Sequence, residues 1–488
     1  MLHQLSSSMN QAKETLEGLL ALINSSTRDA IQEYESAGCE LPTLDRPTPL
    51  PENVISLRKA LRILEGASFQ LCTTLSHPEP LMFQRAMGHI DSQCLLVVVR
   101  AKVADVIAEH PDGLHIDDIA KRTNLESRKL LKVMRNLTAK HLFRESGFFQ
   151  FSLPEIYFND QLSSIASADV YANNRLSSTL LNNNPCNSII HIMAMYNMHG
   201  SSNLYESMAD PEYGHSWDAH RSPFSYGIKG TSPDSSFYDW LHVQVSSSNE
   251  RMVPASANKK TTAQGMRGKR IFDHAMLAAR NVTDAALVSK QFAWKDLPSG
   301  ATVCDLGGGI GTMAMDLAKT HHHLHLTLQD LPNVIDHARQ VWSTEMPGAI
   351  RENRIDFVPV DFLQSSPVKN QDIYYIRQVV HNWSDADCIV MLKNVRAVMG
   401  PSSRILIHEF VLQPNFSTSA DVDIAPKPLS PNFGYGNSMS FMEDVSMFVG
   451  TNSGERTLDE FIQLGADAGL RFVKLWRFAE TGLVEFVL

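Results

Sequence analysis

From residue 301 onward, short apolar runs alternate with stretches of helical periodicity. "ATVCD" (301–305), "LHLTLQD" (324–330), "IDFVPVD" (355–361), "DIYYIRQVV" (372–380) and "SRILIHEFVL" (403–412) are rich in branched and aromatic residues and read as buried strands. Between the last two, "DADCIVMLKNVRAVM" sets Cys388, Met391, Leu392, Val395 and Val398 on one helical face and stops at Gly400-Pro401. "TLDE" at 457–460 is a capping box, with Thr457 as N-cap and Glu460 three residues on. "FVKLWRFAETGLVEFVL" then reads as two closing strands with Gly482 in their connection. Repeated strand-helix units predict a parallel sheet covered on both faces, and the closing hairpin adds an antiparallel edge.

The first half is patterned differently. Met9, Ala12, Leu16, Leu19, Leu20 and Ile23 recur at helical spacing, predicting an amphipathic helix over 9–35 docked on the body or on a second subunit. A Pro-rich extended linker, "LPTLDRPTPLPEN", follows. Residues 92–152 read as a winged helix. "CLLVVVRAKVADVIAEH" forms one helix, "IDDIAKRT" a second and "ESRKLLKVMRNLTAKH" a third, before a hairpin turning at Ser146-Gly147. Eight Lys or Arg fall between 121 and 144 against the single acid Glu126. Such a strip serves either a DNA-reading helix or the solvated face of a packing module. Leu130, Leu131, Met134 and Leu137 on the opposite side favour the packing module. Residues 153–270 carry little readable pattern and include the polar stretch "SSSNERMVPASANKKTTAQG".

The totals narrow the function. A length of 488 residues allows two or three domains, and 43% hydrophobic with 20% charged residues is ordinary for a soluble globular protein. A net charge of −10 argues against a polyanion as the main partner. The six cysteines (39, 72, 94, 186, 304 and 388) form no CxxC pair, so packed, reduced thiols in a cytoplasmic protein are expected. No secretory leader and no membrane-spanning run is visible in the sequence.

"VCDLGGGIGT" (303–312) is the first chemical signal, a glycine turn between a strand and a helix. Gly309-x-Gly311-x-x-Ala314 also fits a dinucleotide fingerprint, with Asp330 at the distance of a ribose-binding acid. Asp305 beside the turn would repel a pyrophosphate, and no Lys or Arg between 302 and 318 offsets it. For S-adenosylmethionine, which carries an ammonium and a sulfonium, the same acid becomes favourable.

"VCDLGGGIGT", "LQDLP", "VDF", "IRQVVHNWSD", "ILIHEFVL" and "GERTLDEF" together resemble the caffeate-type O-methyltransferases, nearest to their fungal secondary-metabolism branch. The likeness is strongest over 270–488, extends through the winged helix, and fades before about residue 60. It implies a Rossmann-like α/β methyltransferase sheet with a terminal antiparallel hairpin, preceded by a mainly helical winged-helix dimerisation domain. The expected division is 1–60 (helix and linker), 61–270 (dimerisation and substrate cover) and 271–488 (cofactor-binding methyltransferase domain). It also implies S-adenosylmethionine as cofactor, a homodimer, and no nucleic-acid or membrane partner. Gly307, Gly308, Gly309 and Gly311 would surround the methionine part, Asp330 the ribose, and Leu331, Asp361 and Phe362 the adenine, with Arg377 nearby. An ordinary strand-end ion pair is the alternative for Asp361 and Arg377.

His381 ends an apolar strand, at the edge where α/β sheets place ligands. A neutral imidazole, with an ordinary pKa near ~6.5, suits removal of the acceptor's hydroxyl proton. The resemblance adds Glu409 and Glu455 as flanking acids, and a carboxylate there would fix the tautomer and stabilise the imidazolium. Glu455 could instead be a surface acid beside Arg456. Many relatives have Asp after the histidine; here Asn382 keeps the hydrogen-bonding shape without the charge. His408 and the run His321–His323 invite a metal reading, but adjacent histidines do not converge on one ion, the run is expected to be solvated, and no metal is expected. The 413–448 stretch reads as a loop followed by an apolar helix with Phe441, Met442, Met447 and Phe448. In the family this region walls the acceptor pocket; plain core packing is the alternative for these Met and Phe residues. The expected activity is methyl transfer to a hydroxyl of a small aromatic or polyketide-type metabolite. A pericyclase or dehydratase using the cofactor without consuming it, and a winged-helix DNA-binding regulator, are the alternatives.

Overall fold

The computed structural model describes residues 2–49, 51, 55–145, 169–244, 271, 274–276, 278–279, 283, 285–415, 423–478 and 480–488. Helix α1 (Leu2–Ser36) and helix α2 (Ile55–Leu75) pack against each other through Ala30, Tyr34, Leu57 and Ala60. The sequence reading had not placed α2. Leu22 of α1 and Ile63 of α2 also press on Ala425, Leu429 and Phe433 of a C-terminal loop. The N-terminal helix is therefore docked on the body of its own chain.

The helices expected between 94 and 141 form, the first of them in two pieces. Helices α3 (His89–Arg100) and α4 (Val103–Ala108) replace the single helix of the sequence reading, because Lys102 adopts a left-handed φ of 55° between them. Left-handed backbone cannot continue a right-handed helix. Helices α5 (Ile116–Thr123) and α6 (Ser127–Thr138) follow, and the Glu126 carboxylate caps α6 by accepting from Arg128 N and Lys129 N. Leu130, Met134 and Leu137 are buried with Val98, Ile107 and Ile119 in one core, while Lys121, Arg128, Lys129 and Lys132 face outward. The strand Arg144–Glu145 pairs with Val170–Ala172. The turn at Ser146-Gly147 and the polar stretch 246–265 lie outside the described residues.

The second half is a seven-stranded mixed sheet. Its strands are β1 (Thr302–Leu306), β2 (His325–Asp330), β3 (Ile355–Pro359), β4 (Ile373–Arg377), β5 (Arg404–Glu409), β6 (Arg471–Arg477) and β7 (Gly482–Val487), in the order β6-β7-β5-β4-β1-β2-β3. The strands β3, β2, β1, β4 and β5 are mutually parallel; β7 and β6 are antiparallel additions. Gly482 is the first residue of β7, not part of the preceding turn. Side chains alternate between two cores. Val303, Leu326, Leu328, Tyr375 and Leu406 meet Trp294 and Trp342 on one face. Cys304, Leu306, Tyr374, Ile376 and Ile407 meet Met391, Leu392 and Phe461 on the other. The carboxyl ends of the parallel strands β1 to β5 form one rim, which carries every candidate residue from Asp305 to Glu409. Among the described residues no helix is long and apolar enough to cross a membrane.

Candidate active site

The glycine turn sits where β1 gives way to helix α7 (Thr312–Thr320), whose N-cap is Gly311 at φ 82°. Gly309 has φ 59° and open space where a Cβ would stand. A Cβ on Gly308 would lie 2.6 Å from Asp305 Cγ and 2.6 Å from Leu328 Cδ1, so only glycine lets the turn close over the strand end. Asp330 stiffens the turn: its carboxylate accepts from Gly309 N (2.9 Å) and Leu331 N (2.7 Å). Burial raises the Asp330 pKa, and these two donors oppose the rise.

Asp305 is buried, and one carboxylate oxygen has no hydrogen-bond partner. Desolvation pushes its pKa up to about 6, against the pull of Arg377 and the Ala314 N–H. This corrects the charge reading of the sequence. No base lies next to Asp305 along the chain, but the fold brings Arg377 across from β4. Arg377 donates to Thr312 Oγ1 (2.9 Å) and leaves its Nη1 unpaired. Asp361 accepts from Leu363 N (3.1 Å), and among the described residues no ion pair joins it to Arg377, which instead donates to Thr312. Phe362 packs edge-on to Trp383 with ring centroids 5.8 Å apart, and Leu331 is exposed at the rim.

Beyond β4 the chain kinks at Gln378, whose φ of 52° swings residues 380–382 into a single 3-10 turn. His381 stands on that turn, 6% exposed. Its Nδ1 lies 2.6 Å from Glu455 Oε1 and 3.5 Å from Glu409 Oε2. Glu409 Oε1 accepts from Val379 N and Val380 N at 2.9 Å each, which locks the turn to the end of β5. A two-residue parallel pairing of Val411–Leu412 with Arg456–Thr457 brings Glu455 alongside Glu409. Glu455 is therefore a buried partner of His381, and the surface-acid alternative does not hold.

The electrostatics of this cluster are strongly coupled. Burial alone would pull the His381 pKa down, but Glu409 and Glu455 outweigh it and raise it to about 10. Burial likewise drives both carboxyl groups upward, opposed by the imidazole. One oxygen of each, Glu409 Oε2 and Glu455 Oε2, has no hydrogen-bond partner.

Two residues of the site escaped the sequence reading. Arg456 is 7% exposed and clamps the turn, donating to Val380 O (3.0 Å), Trp383 O (2.9 Å) and Asp385 Oδ1 (2.9 Å). Its only sequence signal is its place beside Glu455. Tyr238, in the poorly patterned middle of the chain, donates to Asn382 Oδ1 (3.0 Å). No local pattern announces that contact.

His408 lies outside the cluster. It is held between Tyr375 Oη (2.5 Å) and Thr481 Oγ1 (2.7 Å), with its pKa driven far down by burial. His321 and His323 are half-buried rather than solvated, bonding Ser289 O (2.8 Å) and Trp294 O (3.2 Å).

Residues 260–471 match the O-methyltransferase domain family, and 83–183 match the O-methyltransferase dimerisation domain. The 3-O-methyltransferase 2 of Phanerochaete chrysosporium is 35% identical over 96% of this chain and 97% of its own length. O-methyltransferase gedA of Aspergillus terreus is 29% identical over 88% and 87%. A solved pericyclic reaction enzyme shares the fold, with a TM-score of 0.66 and 16% identity over 98% of this chain and 100% of its own. A rim of strand ends with a glycine cradle on one side and a carboxylate-held histidine on the other is thus found in a chain that belongs to the O-methyltransferase family.

Proposed function

We propose that this enzyme moves the methyl group of S-adenosylmethionine to a hydroxyl of a small aromatic or polyketide-type metabolite, with His381 as general base. The observation that carries the reading is the 2.6 Å contact of His381 Nδ1 with Glu455. Among the described residues no hydrogen bond reaches the other ring nitrogen, Nε2. The cradle suits the cofactor: Gly309 faces open space, and Asp305 offers an unpaired buried oxygen to a cation. Gly307, Gly308, Gly309 and Gly311 hold the methionine part, Asp330 the ribose, and Leu331, Asp361, Phe362 and Arg377 the remaining rim.

When bound, the cofactor supplies a carbon already activated by positive sulfur. The protein then has to align the acceptor oxygen and take its proton. Nδ1–H donates to Glu455, which fixes the tautomer and leaves Nε2 to receive the hydroxyl proton. Glu409 and Glu455 stabilise the imidazolium that forms. In the ligand-free pocket their charge keeps His381 protonated at neutral pH. A positive charge bound at the cradle lowers that pKa and readies the imidazole as a base. Activity should therefore rise with pH as the imidazolium loses its proton.

The donor atoms of His381, Glu409 and Glu455 all lie within 4.8 Å of one another, close enough to ligate an ion. Methyl transfer from sulfonium needs no Lewis acid, and we assign the cluster to proton transfer without a metal. The pericyclase reading draws on the full-length fold likeness alone, and the 35% identity to a methyltransferase outweighs it. Incubation with methyl-labelled cofactor and phenolic acceptors decides: labelled product supports methyl transfer, and product without methyl consumption overturns it.

The division at 60 and 270 remains part of the same proposal, as do a homodimer and a cytoplasmic location. Exposed Leu75, Met82, Phe83 and Met87 support a paired surface. Arg122 and Arg135 pair with Glu109 (2.8 Å) and Asp169 (2.9 Å), and Lys140 pairs with Asp91, which supports a packing module over a DNA reader.

A further inference from the structure

The turn that carries His381 has two sets of anchors, supplied by different parts of the chain. Arg456 and Ser453 fasten its far end by donating to Trp383 O at 2.9 and 2.5 Å. The second anchor is the side-chain amide of Asn382. Its Nδ2 donates to Gln378 O at 3.2 Å, and its Oδ1 accepts from Tyr238 Oη at 3.0 Å. The Gln378 carbonyl can only accept, so the amide nitrogen has to face it and the amide oxygen is left for the tyrosine hydroxyl. An aspartate at 382 could accept from Tyr238, but it would set its other oxygen against the Gln378 carbonyl. The bridge also lies where the backbone needs it. Gln378 holds a left-handed φ of 52°, which is costly for a residue with a Cβ. The 3-10 turn Val380–Asn382 that follows is only three residues long.

Tyr238 arrives from the helix Phe237–Gln244, 144 positions before Asn382. That helix is itself pinned. Phe237 and Trp240 each meet the buried Phe224 ring edge-on at 5.3 Å. Asp239 Oδ2 accepts from Ser236 Oγ (2.6 Å) and lies 3.0 Å from His220 Nε2. His220 Nδ1 lies 2.8 Å from Asp218 Oδ1, so one imidazole links the helix to the preceding segment. Ser216 O and Asp218 O in turn accept from Asn452 Nδ2 at 2.8 Å each, and Asn452 is the residue before Ser453. Tyr238 thus reaches the turn from a fixed base. The residue is 37% exposed, so its hydroxyl completes no core. What the hydroxyl does is bind Asn382.

We infer that Tyr238 is a positioning residue for His381: through the Asn382 amide its hydroxyl holds the turn on which the base stands. This rests on the assignment of His381 as general base made above. The effect of the hydroxyl passes through the imidazole.

Two readouts separate this role from a general loss of stability. The first needs no acceptor. In the complex with S-adenosylhomocysteine, hydrogen–deuterium exchange over residues 378–384 should be at least about threefold faster in Tyr238→Phe than in wild type, the scale of one lost hydrogen bond. Exchange over 303–312 and the affinity for S-adenosylhomocysteine should not change. Asn382→Ala should speed the same segment, and the double variant should be no faster than Asn382→Ala, because both changes break one bridge. Unaltered exchange in Tyr238→Phe, or effects that simply add in the double variant, overturn the inference.

The second readout is labelled methyl transfer to catechol. Tyr238→Phe should lower kcat by about three- to tenfold when His381 is present, again the scale of one hydrogen bond. In a His381→Ala background the same change should have no further effect. An equal loss in both backgrounds would mean that the hydroxyl acts elsewhere, and would overturn the inference. A His381→Ala variant as fast as wild type would instead remove the base assignment on which the inference stands, and that result is read without any change at Tyr238.

Discussion

The glycine cradle and the His381 turn occupy the same rim of the same sheet, but the chain assembles them differently. The cradle is local: Gly309 and Asp330 are 21 positions apart and meet through backbone N–H groups at consecutive strand ends. The His381 cluster is gathered: Glu455 reaches His381 across 74 positions, through a short strand pairing and the Arg456 clamp. In the cradle, the absence of side chains at Gly308 and Gly309 makes the site. In the cluster, three side chains must be buried together with their charges. The first arrangement tolerates little added volume, and the second tolerates little change of charge.

That contrast predicts separable losses. The largest belongs to the cluster: His381→Ala should lower kcat by about 10²- to 10⁴-fold. Cofactor affinity in equilibrium dialysis should stay near the wild-type value. Glu409→Gln should fall between this variant and wild type in kcat, because the Val379 and Val380 contacts persist in shape while the supporting charge is gone. A Glu409→Gln variant as slow as His381→Ala would show that the carboxylate, not the imidazole, limits the step.

At the cradle the pattern should invert. Gly308→Ala forces a methyl to within 2.6 Å of Asp305 and Leu328. Overpacking of that kind costs about 1–3 kcal/mol, visible as a lowered Tm, and should weaken the cofactor more than it slows the bound enzyme. Asp330→Ala should reduce cofactor affinity by about tenfold or more, the scale of a lost charged hydrogen bond, with little change in maximal rate. If either variant instead lowered kcat alone, the two regions would not be separable.

The smallest effect is a pH dependence at Asp305. Its pKa stands at about 6 in the ligand-free protein, raised by desolvation. A bound cation favours the ionised carboxylate, so cofactor affinity should rise as pH climbs through that value and fall below it. Asp305→Asn should flatten the curve. A wild-type affinity that does not change between pH 5 and pH 7, as such a titration requires, would remove Asp305 from cofactor binding.

The same contrast explains what the sequence made legible. The strand-turn-helix around Gly307–Gly311 and the Thr457–Glu460 capping box are local patterns, and both can be read by eye. So can the alternation that fills the two sheet cores. The placement of Glu409 and Glu455 beside His381 came only from the resemblance, because no local rule joins residues so far apart. Arg377 beside Asp305 was missed for that reason, and the charge reading of the turn was incomplete without it. Lys102 broke an apparently continuous helix because a left-handed residue leaves no mark on hydrophobic periodicity. His321 and His323 looked solvated because their carbonyl partners belong to the segment before β1.

The most direct measurement is the ratio of wild-type to His381→Ala kcat across phenols of graded acidity, at fixed pH and saturating cofactor. If His381 removes the proton, the ratio should be greatest for the least acidic hydroxyl and shrink steadily as the acceptor becomes a stronger acid, because less proton removal is left to catalyse. A ratio that stays the same across the series would mean that His381 positions the acceptor without taking its proton.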